Sequence, residues 1–280
     1  MIDLSLLNPE WQSCGIDNAV HGGASTIAAT LFPGADFLRV DAPADEALAV
    51  ADGVLGLSSI APRFRRTLDE LRRRAPDRIL HVGGTCGAEL APVAYLNERY
   101  GGALAVVWLD AHGDLNTPDS SPSGHFHGMA LRTLTGQGPA ALTGALRRPQ
   151  RARQLFLAGT RDLDPPEAQF VTSAGVSMTT CDELADPAVL AGRIRDGGFR
   201  RVYAHLDLDV LDPQVFPDSL MQTPDGLAPD AVAAVLGALD HALDVVGLSV
   251  VEYCPRSDAG LSQLGALLAA SGIRIGALSG

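Results

Sequence analysis

Six short apolar runs, separated by longer amphipathic stretches, set the tightest limit on what this chain can fold into. The runs cover residues 37–40, 79–82, 104–109, 154–158, 201–206 and 245–251. Between them, residues 62–74, 88–100, 182–195, 229–243 and 260–270 carry apolar side chains at helical spacing. Near-continuous apolar strands alternating with helices build a parallel sheet covered on both faces. The expectation is one α/β domain over residues 1–280, a doubly wound, mainly parallel sheet in a three-layer sandwich. Two loops break the pattern, 116–124 and 212–226, the second with three prolines. Both follow the C-terminal ends of predicted strands, where open α/β sheets form their sites. Loops of this size inside a compact domain are usually functional.

Charge and composition narrow the partners. The formal net charge is -12, which repels nucleic acid and anionic membrane surfaces and suits a site that gathers cations. No apolar run reaches the length of a membrane helix, and the first residues carry no signal-peptide pattern. Four cysteines (Cys14, Cys86, Cys181 and Cys254) lie far apart, as expected in a reducing cytoplasm. Cys14, Cys181 and Cys254 read as buried small residues or free thiols. All 21 basic residues are arginine, and the group Arg63, Arg65, Arg66, Arg72, Arg73 and Arg74 reads as the solvated face of a helix. Nothing in the sequence sets an oligomeric state.

Chemistry concentrates at two predicted strand ends. The run 104–109 is followed by Asp110-Ala-His112-Gly-Asp114, and the run 201–206 by Asp207-Leu-Asp209. In extended chain, residues i, i+2 and i+4 point to one side, so these side chains would converge. Four carboxylates in one place repel each other unless cations neutralise them. A lone aspartate is ordinarily a cap or turn residue, and a lone histidine a hydrogen-bonded core residue. Two clusters with the same spacing at two strand ends outweigh that reading. Mostly oxygen ligands with little imidazole favour Mn²⁺ over zinc. Two such ions would make a water nucleophilic.

These motifs resemble those of the ureohydrolase family of arginases and agmatinases. The family's elements are Gly-Gly-Asp-His-Ser, Asp-Ala-His-x-Asp and Ser-Phe-Asp-x-Asp-x-x-Asp-Pro. Here the chain reads Gly83-Gly-Thr-Cys86-Gly, Asp110-Ala-His112-Gly-Asp114 and His205-Leu-Asp207-Leu-Asp209-Val-Leu-Asp212-Pro213. The resemblance implies an arginase-like fold with two Mn²⁺ ions at the C-terminal edge of the sheet. Their ligands would be Cys86, Asp110, His112, Asp114, Asp207 and Asp209, with Asp110 and Asp209 bridging. Cys86 stands where the family has histidine. As a thiolate it would ligate the first ion, although thiolate matches manganese poorly. It could instead be a spectator that leaves this ion weakly held, or the mark of a non-catalytic relative.

The same resemblance assigns a substrate end. Asn116-Thr-Pro followed by Ser123-Gly-His125-Phe-His127-Gly is arginase-like, as is Arg161-Asp162-Leu-Asp164. It implies that Asn116, Ser123, His125, Asp162 and Asp164 hold the α-amino and α-carboxylate groups of a guanidino amino acid. Thr223, in the loop 212–226, would lie near the guanidine end. Glu252 would face the guanidinium, His127 would shuttle protons, and Asp114 would also orient the attacking water. By itself, one of Asp162 and Asp164 reads as a turn or helix cap before Pro165. His125 replaces an arginase asparagine, and only Thr223-Pro224 remains of the family's Thr-Gly-Thr-Pro. With Cys86, these departures are similar to the Nω-hydroxy-L-arginine hydrolases of D-cycloserine formation, which release hydroxyurea and L-ornithine. L-arginine with urea release is the alternative, and a decarboxylated or formimino substrate is a third.

Overall fold

Each of the six apolar runs is a strand of one eight-stranded sheet in which every neighbouring pair is parallel. The structure is a computed structural model and describes residues 2–273. In chain order the strands are β1 (Leu4–Asn8), β2 (Phe37–Arg39), β3 (Val50–Ala51), β4 (Val54–Leu55), β5 (Ile79–Gly83), β6 (Leu104–Leu109), β7 (Leu155–Ala158), β8 (Ser177–Thr179), β9 (Arg201–Asp207) and β10 (Asp244–Val251). The sheet runs β2-β1-β5-β10-β9-β6-β7-β8, and β3 and β4 form a separate antiparallel hairpin. The helices are α1 (Ala19–Leu31), α2 (Leu57–Arg74), α3 (Leu90–Arg99), α4 (Ala130–Leu134), α5 (Ala140–Thr143), α6 (Pro165–Ala174), α7 (Ala188–Asp196), α8 (Pro229–Ala242) and α9 (Gly260–Ser271).

Period two along the strands divides the core into two layers. On β6, Ala105, Val107 and Leu109 pack beneath α1, α7, α8 and α9. Leu104, Val106 and Trp108 face the opposite way, toward α2, α3 and α4. All six are buried, so the strand reads as continuous apolar sequence. The central strands β5, β10, β9 and β6 are each interrupted at their C-terminal ends by polar residues. Because all strands run the same way, those residues gather on one edge.

Two local expectations are corrected. Helix α2 begins at Leu57, after Gly56 in left-handed backbone (φ 73), and not at Pro62. Pro62 is exposed within the helix, where its missing N–H faces water. Arg63 is not on a solvated face. It is buried beside Glu46 (3.0 Å) and donates to the Asp41 carbonyl, while its neighbours Arg65 and Arg66 are exposed. Among the described residues, no helix is long and apolar enough to cross a membrane.

Candidate metal centre and substrate cleft

The i, i+2 spacing of the acidic motifs acts through turns rather than through the strand pleat. Strand β6 ends before Asp110, and residues 208–210 form a single 3-10 turn. Asp110 Oδ1 accepts the His112 N–H at 2.6 Å, and Asp207 Oδ1 accepts the Asp209 N–H at 2.8 Å. Asp209 Oδ1 in turn accepts the Ala111 N–H at 2.9 Å, tying the two motifs together. Each aspartate spends one oxygen on backbone two residues ahead or across the edge. Its second oxygen is thereby held toward the centre. Asp114 arrives by another route. Its backbone is left-handed (φ 51), uncommon for a residue with a side chain, and its buried Oδ2 has no partner.

The donor atoms form two groups. Cys86, Asp110, His205 and Asp207 make one; Asp110, His112 and Asp209 make the other. Asp110 is common to both, and Asp114 lines the same cleft without belonging to either group. Cys86 Sγ lies 3.0 Å from Asp207 Oδ2 and 3.9 Å from Asp110 Oδ2. His112 Nδ1 lies 2.8 Å from Asp209 Oδ2 and 3.5 Å from Asp110 Oδ1. Apart from His112, these side chains are buried.

Electrostatics test whether cations fit. Burial, then the charges of Asp209, Asp110 and Glu252, push Asp207 well above the usual carboxylate range. Burial and Asp110 do the same to Asp114. Asp209 rises to about 6 through burial and Asp110, opposed by His112. Burial and the surrounding carboxylates, Asp114 foremost, push the Cys86 thiol up. The acids and the thiol thus cannot all ionise together without positive charge among them. The donor set fits divalent cations, which would supply that charge.

Glu252 closes the cleft at the end of β10. It also has left-handed backbone (φ 61). Its Oε1 accepts the Cys86 N–H at 3.0 Å and lies 3.4 Å from His127 Nδ1, while Oε2 is buried without a partner. Gly84 permits this arrangement. A Cβ there would stand 2.1 Å from the Glu10 carbonyl, and its own carbonyl accepts the Glu252 N–H. At the other end, Asn116 donates to Asp164 at 2.8 Å and accepts from Ser120. Asp164 is also the N-cap residue of α6, and its N–H donates to Glu167 Oε2 at 2.8 Å.

The cleft has a volume of about 230 Å³ and is lined by Cys86, Asp110, His112, Asp114, Asn116, Ser123, His127, Asp164, Asp207, Asp209 and Glu252. Three of the residues expected at the substrate end stand outside its lining. Asp162 is an exposed rim residue, its side chain 66% accessible and 4.0 Å from His112 Nε2. Thr223 Oγ1 is 3.4 Å from the same nitrogen. The His125 ring lies 6.1 Å from that of His127.

Comparison with known proteins gives this geometry a family. A family model described as "Arginase family" matches residues 41–274. The chain belongs to the arginase family. An arginase of Staphylococcus aureus (strain MRSA252) is 34% identical over 185 residues, 64% of this chain and 61% of that protein, so the match spans less than two thirds of that relative. An N(omega)-hydroxy-L-arginine amidinohydrolase of Streptomyces lavendulae is 32% identical over 203 residues, 70% of each chain. The arginase of Entamoeba histolytica, solved with L-ornithine, has the same fold, with a TM-score of 0.88 over 97% of both chains at 18% identity.

Three residues at the arginase-family site escaped the sequence reading. His205 occupies the serine position of the third element, two residues before Asp207, and its Nε2 lies 3.7 Å from Asp110 Oδ2. The visible signal was an imidazole in register with a ligand on the same strand face. Glu89 is a fully buried acid within the amphipathic stretch 88–100, beside His81 and His205. Arg161 straps the edge: it donates to the carbonyls of Asp209, Thr223 and Pro224, joining the turn at 208–210 to the loop at 212–226. No motif marked Glu89, and Arg161 stood in a motif read only for its aspartates, because both act through tertiary contacts.

Proposed function

We propose that the protein hydrolyses a guanidine C–N bond with two Mn²⁺ ions, acting on Nω-hydroxy-L-arginine to release hydroxyurea and L-ornithine. One observation carries the reading. A buried carboxylate oxygen without a partner, Glu252 Oε2, sits in the same cleft as two groups of metal-type donors. An orphaned buried carboxylate oxygen is expensive unless a cationic ligand fills the site. A planar guanidinium meets that need with charge-assisted N–H donors.

When bound, the cations would neutralise the aspartates and activate a water for attack on the guanidine carbon. The side chains supply the rest. Glu252 Oε1 is committed to the Cys86 N–H, so Oε2 is the atom that takes the guanidinium. Asp114 Oδ2 accepts a hydrogen bond from the attacking water and orients it. His127, beside Glu252, passes a proton to the departing δ-amine. Asp164, held by Asn116, receives the α-ammonium, and the loop bearing Ser123 receives the α-carboxylate. His125, Asp162 and Thr223 act from the rim.

The N-hydroxylated substrate is favoured by the 70% span shared with the Streptomyces lavendulae relative and by Cys86 in place of histidine. L-arginine is the second reading, supported by the 34% identity to the S. aureus arginase. The deciding experiment presents L-arginine, Nω-hydroxy-L-arginine and agmatine to manganese-loaded protein and quantifies urea, hydroxyurea and ornithine. A higher kcat/KM with hydroxyurea as product is expected. Preference for L-arginine would move the assignment to arginase, and preference for agmatine would remove the amino-acid grip. The link to D-cycloserine formation stands only with hydroxyurea. Asp209→Ala should lose metal and turnover together; activity surviving in that variant would end the two-metal reading.

A further inference from the structure

We propose that His205 is a ligand of the first ion, supplying from β9 the imidazole that the Cys86 position lacks, and that Glu89 holds it in place. The inference rests on the two-metal reading above. His205 is fully buried. Its Nε2 faces Asp110 Oδ2 at 3.7 Å and Cys86 Sγ at 3.8 Å. The Asp110 contact is longer than a hydrogen bond. The donor atoms of Cys86, Asp110, His205 and Asp207 all lie within 4.8 Å of one another, close enough to share one ion. Cys86 Sγ, Asp110 Oδ2, His205 Nε2 and a carboxylate oxygen of Asp207 form such a set. Positions 205 and 207 share one face of β9, so the strand itself delivers both side chains to it.

An ordinary core histidine would have hydrogen-bond partners for its ring nitrogens. Here Nδ1 faces Glu89 Oε2 at 3.7 Å, and Glu89 is anchored by the Tyr203 hydroxyl at 2.7 Å and by His81 Nδ1 at 2.9 Å. A buried carboxylate behind one imidazole nitrogen, with metal-type donors before the other, is how proteins orient a ligating histidine. The ring plane is fixed by stacking on Trp108, with centroids 3.5 Å apart and planes 12° from parallel. Gly247 on the neighbouring β10 makes room for Tyr203, since a Cβ there would stand 2.2 Å from its ring. Cysteine for histidine in the first element and histidine for serine in the third are thus one compensated exchange. The first ion receives thiolate, imidazole and carboxylates, a softer set than His112 with Asp110 and Asp209.

The test counts metal, independent of turnover. Wild type, His205→Asn, His205→Ser, Glu89→Gln and the exchange Cys86→His/His205→Ser are dialysed against Mn²⁺ and assayed for ions per chain. The same proteins are loaded with Co²⁺ and examined for thiolate charge-transfer absorption. Wild type should hold two ions. Both His205 variants should fall to about one and lose or shift the Co²⁺–thiolate band, and Glu89→Gln should weaken the first ion about tenfold. The exchange variant should regain two ions and lack the thiolate band. Circular dichroism of metal-free protein identifies a variant that fails to fold, and the exchange variant then decides. Two ions of unchanged affinity in His205→Asn or His205→Ser would overturn the inference, as would a folded exchange variant that holds only one. Fewer than two ions in wild type would instead overturn the two-metal reading. Two ions with no guanidine hydrolysis would overturn only the proposed reaction.

Discussion

Asp114 and Glu252 are held in left-handed backbone (φ 51 and 61), a conformation that costs a residue with a side chain roughly 1–2 kcal/mol. Both carry a buried carboxylate oxygen without a partner. Strain and desolvation at the same two residues mark places where stability is given up for chemistry. Glu252→Gln keeps the shape and the acceptor for the Cys86 N–H but removes the charge. It should lower kcat/KM by about thirtyfold, the equivalent of about 2 kcal/mol for one charge-assisted hydrogen bond, with metal content unchanged. Steady-state kinetics beside metal analysis checks this. Glu10 supplies a pH prediction. It is buried, accepts from Ser13 and Thr85, and its burial holds the carboxyl above the usual range. The folded state therefore keeps a proton that the unfolded chain releases. Stability is full below the ordinary carboxylate value and is lost as pH rises toward the raised one. Urea midpoints of metal-free wild type should fall across that window, and Glu10→Gln should flatten the fall. Of the residues at this edge, the acids and histidine of the repeated motifs were legible because turn chemistry forces their spacing. Glu10, Glu89 and His205 were not, because their meaning lies in neighbours 75 to 119 positions away.

At helix α6 the proposed binding role of Asp164 falls on the residue that begins the helix. Asp164 is its N-cap residue and also lines the cleft against Asn116. Asp164→Ser preserves a good cap and removes the charge, so the thermal midpoint should hold while KM rises at least about tenfold. Asp164→Ala should raise KM and also cost about 1 kcal/mol of stability. Equal KM values for wild type and the serine variant would restrict Asp164 to capping. At this scale the central strands were legible as apolar runs buried on both faces. Helix α1 was not: its sequence, Ala-Val-His-Gly-Gly-Ala-Ser-Thr-Ile-Ala-Ala-Thr-Leu, has two glycines and no side-chain cap. It is a helix because Ala24, Ile27 and Ala28 are buried against the sheet and Val20 against Trp11, Cys14 and Cys254, a tertiary cause that local propensity does not report. The hairpin of β3 and β4 was also missed. Two-residue strands have no period to read, yet Leu55 donates to Gly124 and so braces the loop at 116–124.

Across the whole molecule, the cleft concentrates acids that repel one another in the metal-free protein. Divalent cations should therefore raise thermal stability. At a free concentration a hundred times the dissociation constant, one ion contributes about 2.7 kcal/mol, roughly 5–10 °C in a chain of this size. Calorimetry with and without chelator checks this, and an unmoved midpoint would count against metal binding. The layered α/β class was legible at this scale, but the strand order was not, because periodicity describes faces and says nothing about neighbours. That order has a consequence for how the protein is made. Strand β10, residues 244–251, lies between β5 and β9, which are formed from residues 79–83 and 201–207. During synthesis the two flanking strands emerge first, and neither meets its central partner until residues 244–251 have left the ribosome. A chain halted at residue 240 should bind no Mn²⁺ by dialysis, although Cys86, Asp110, His112, Asp114, Asp207 and Asp209 are all present. Among the described residues β10 is the last strand and the keystone of the sheet, so a chain that lacks it should form no half-built metal site.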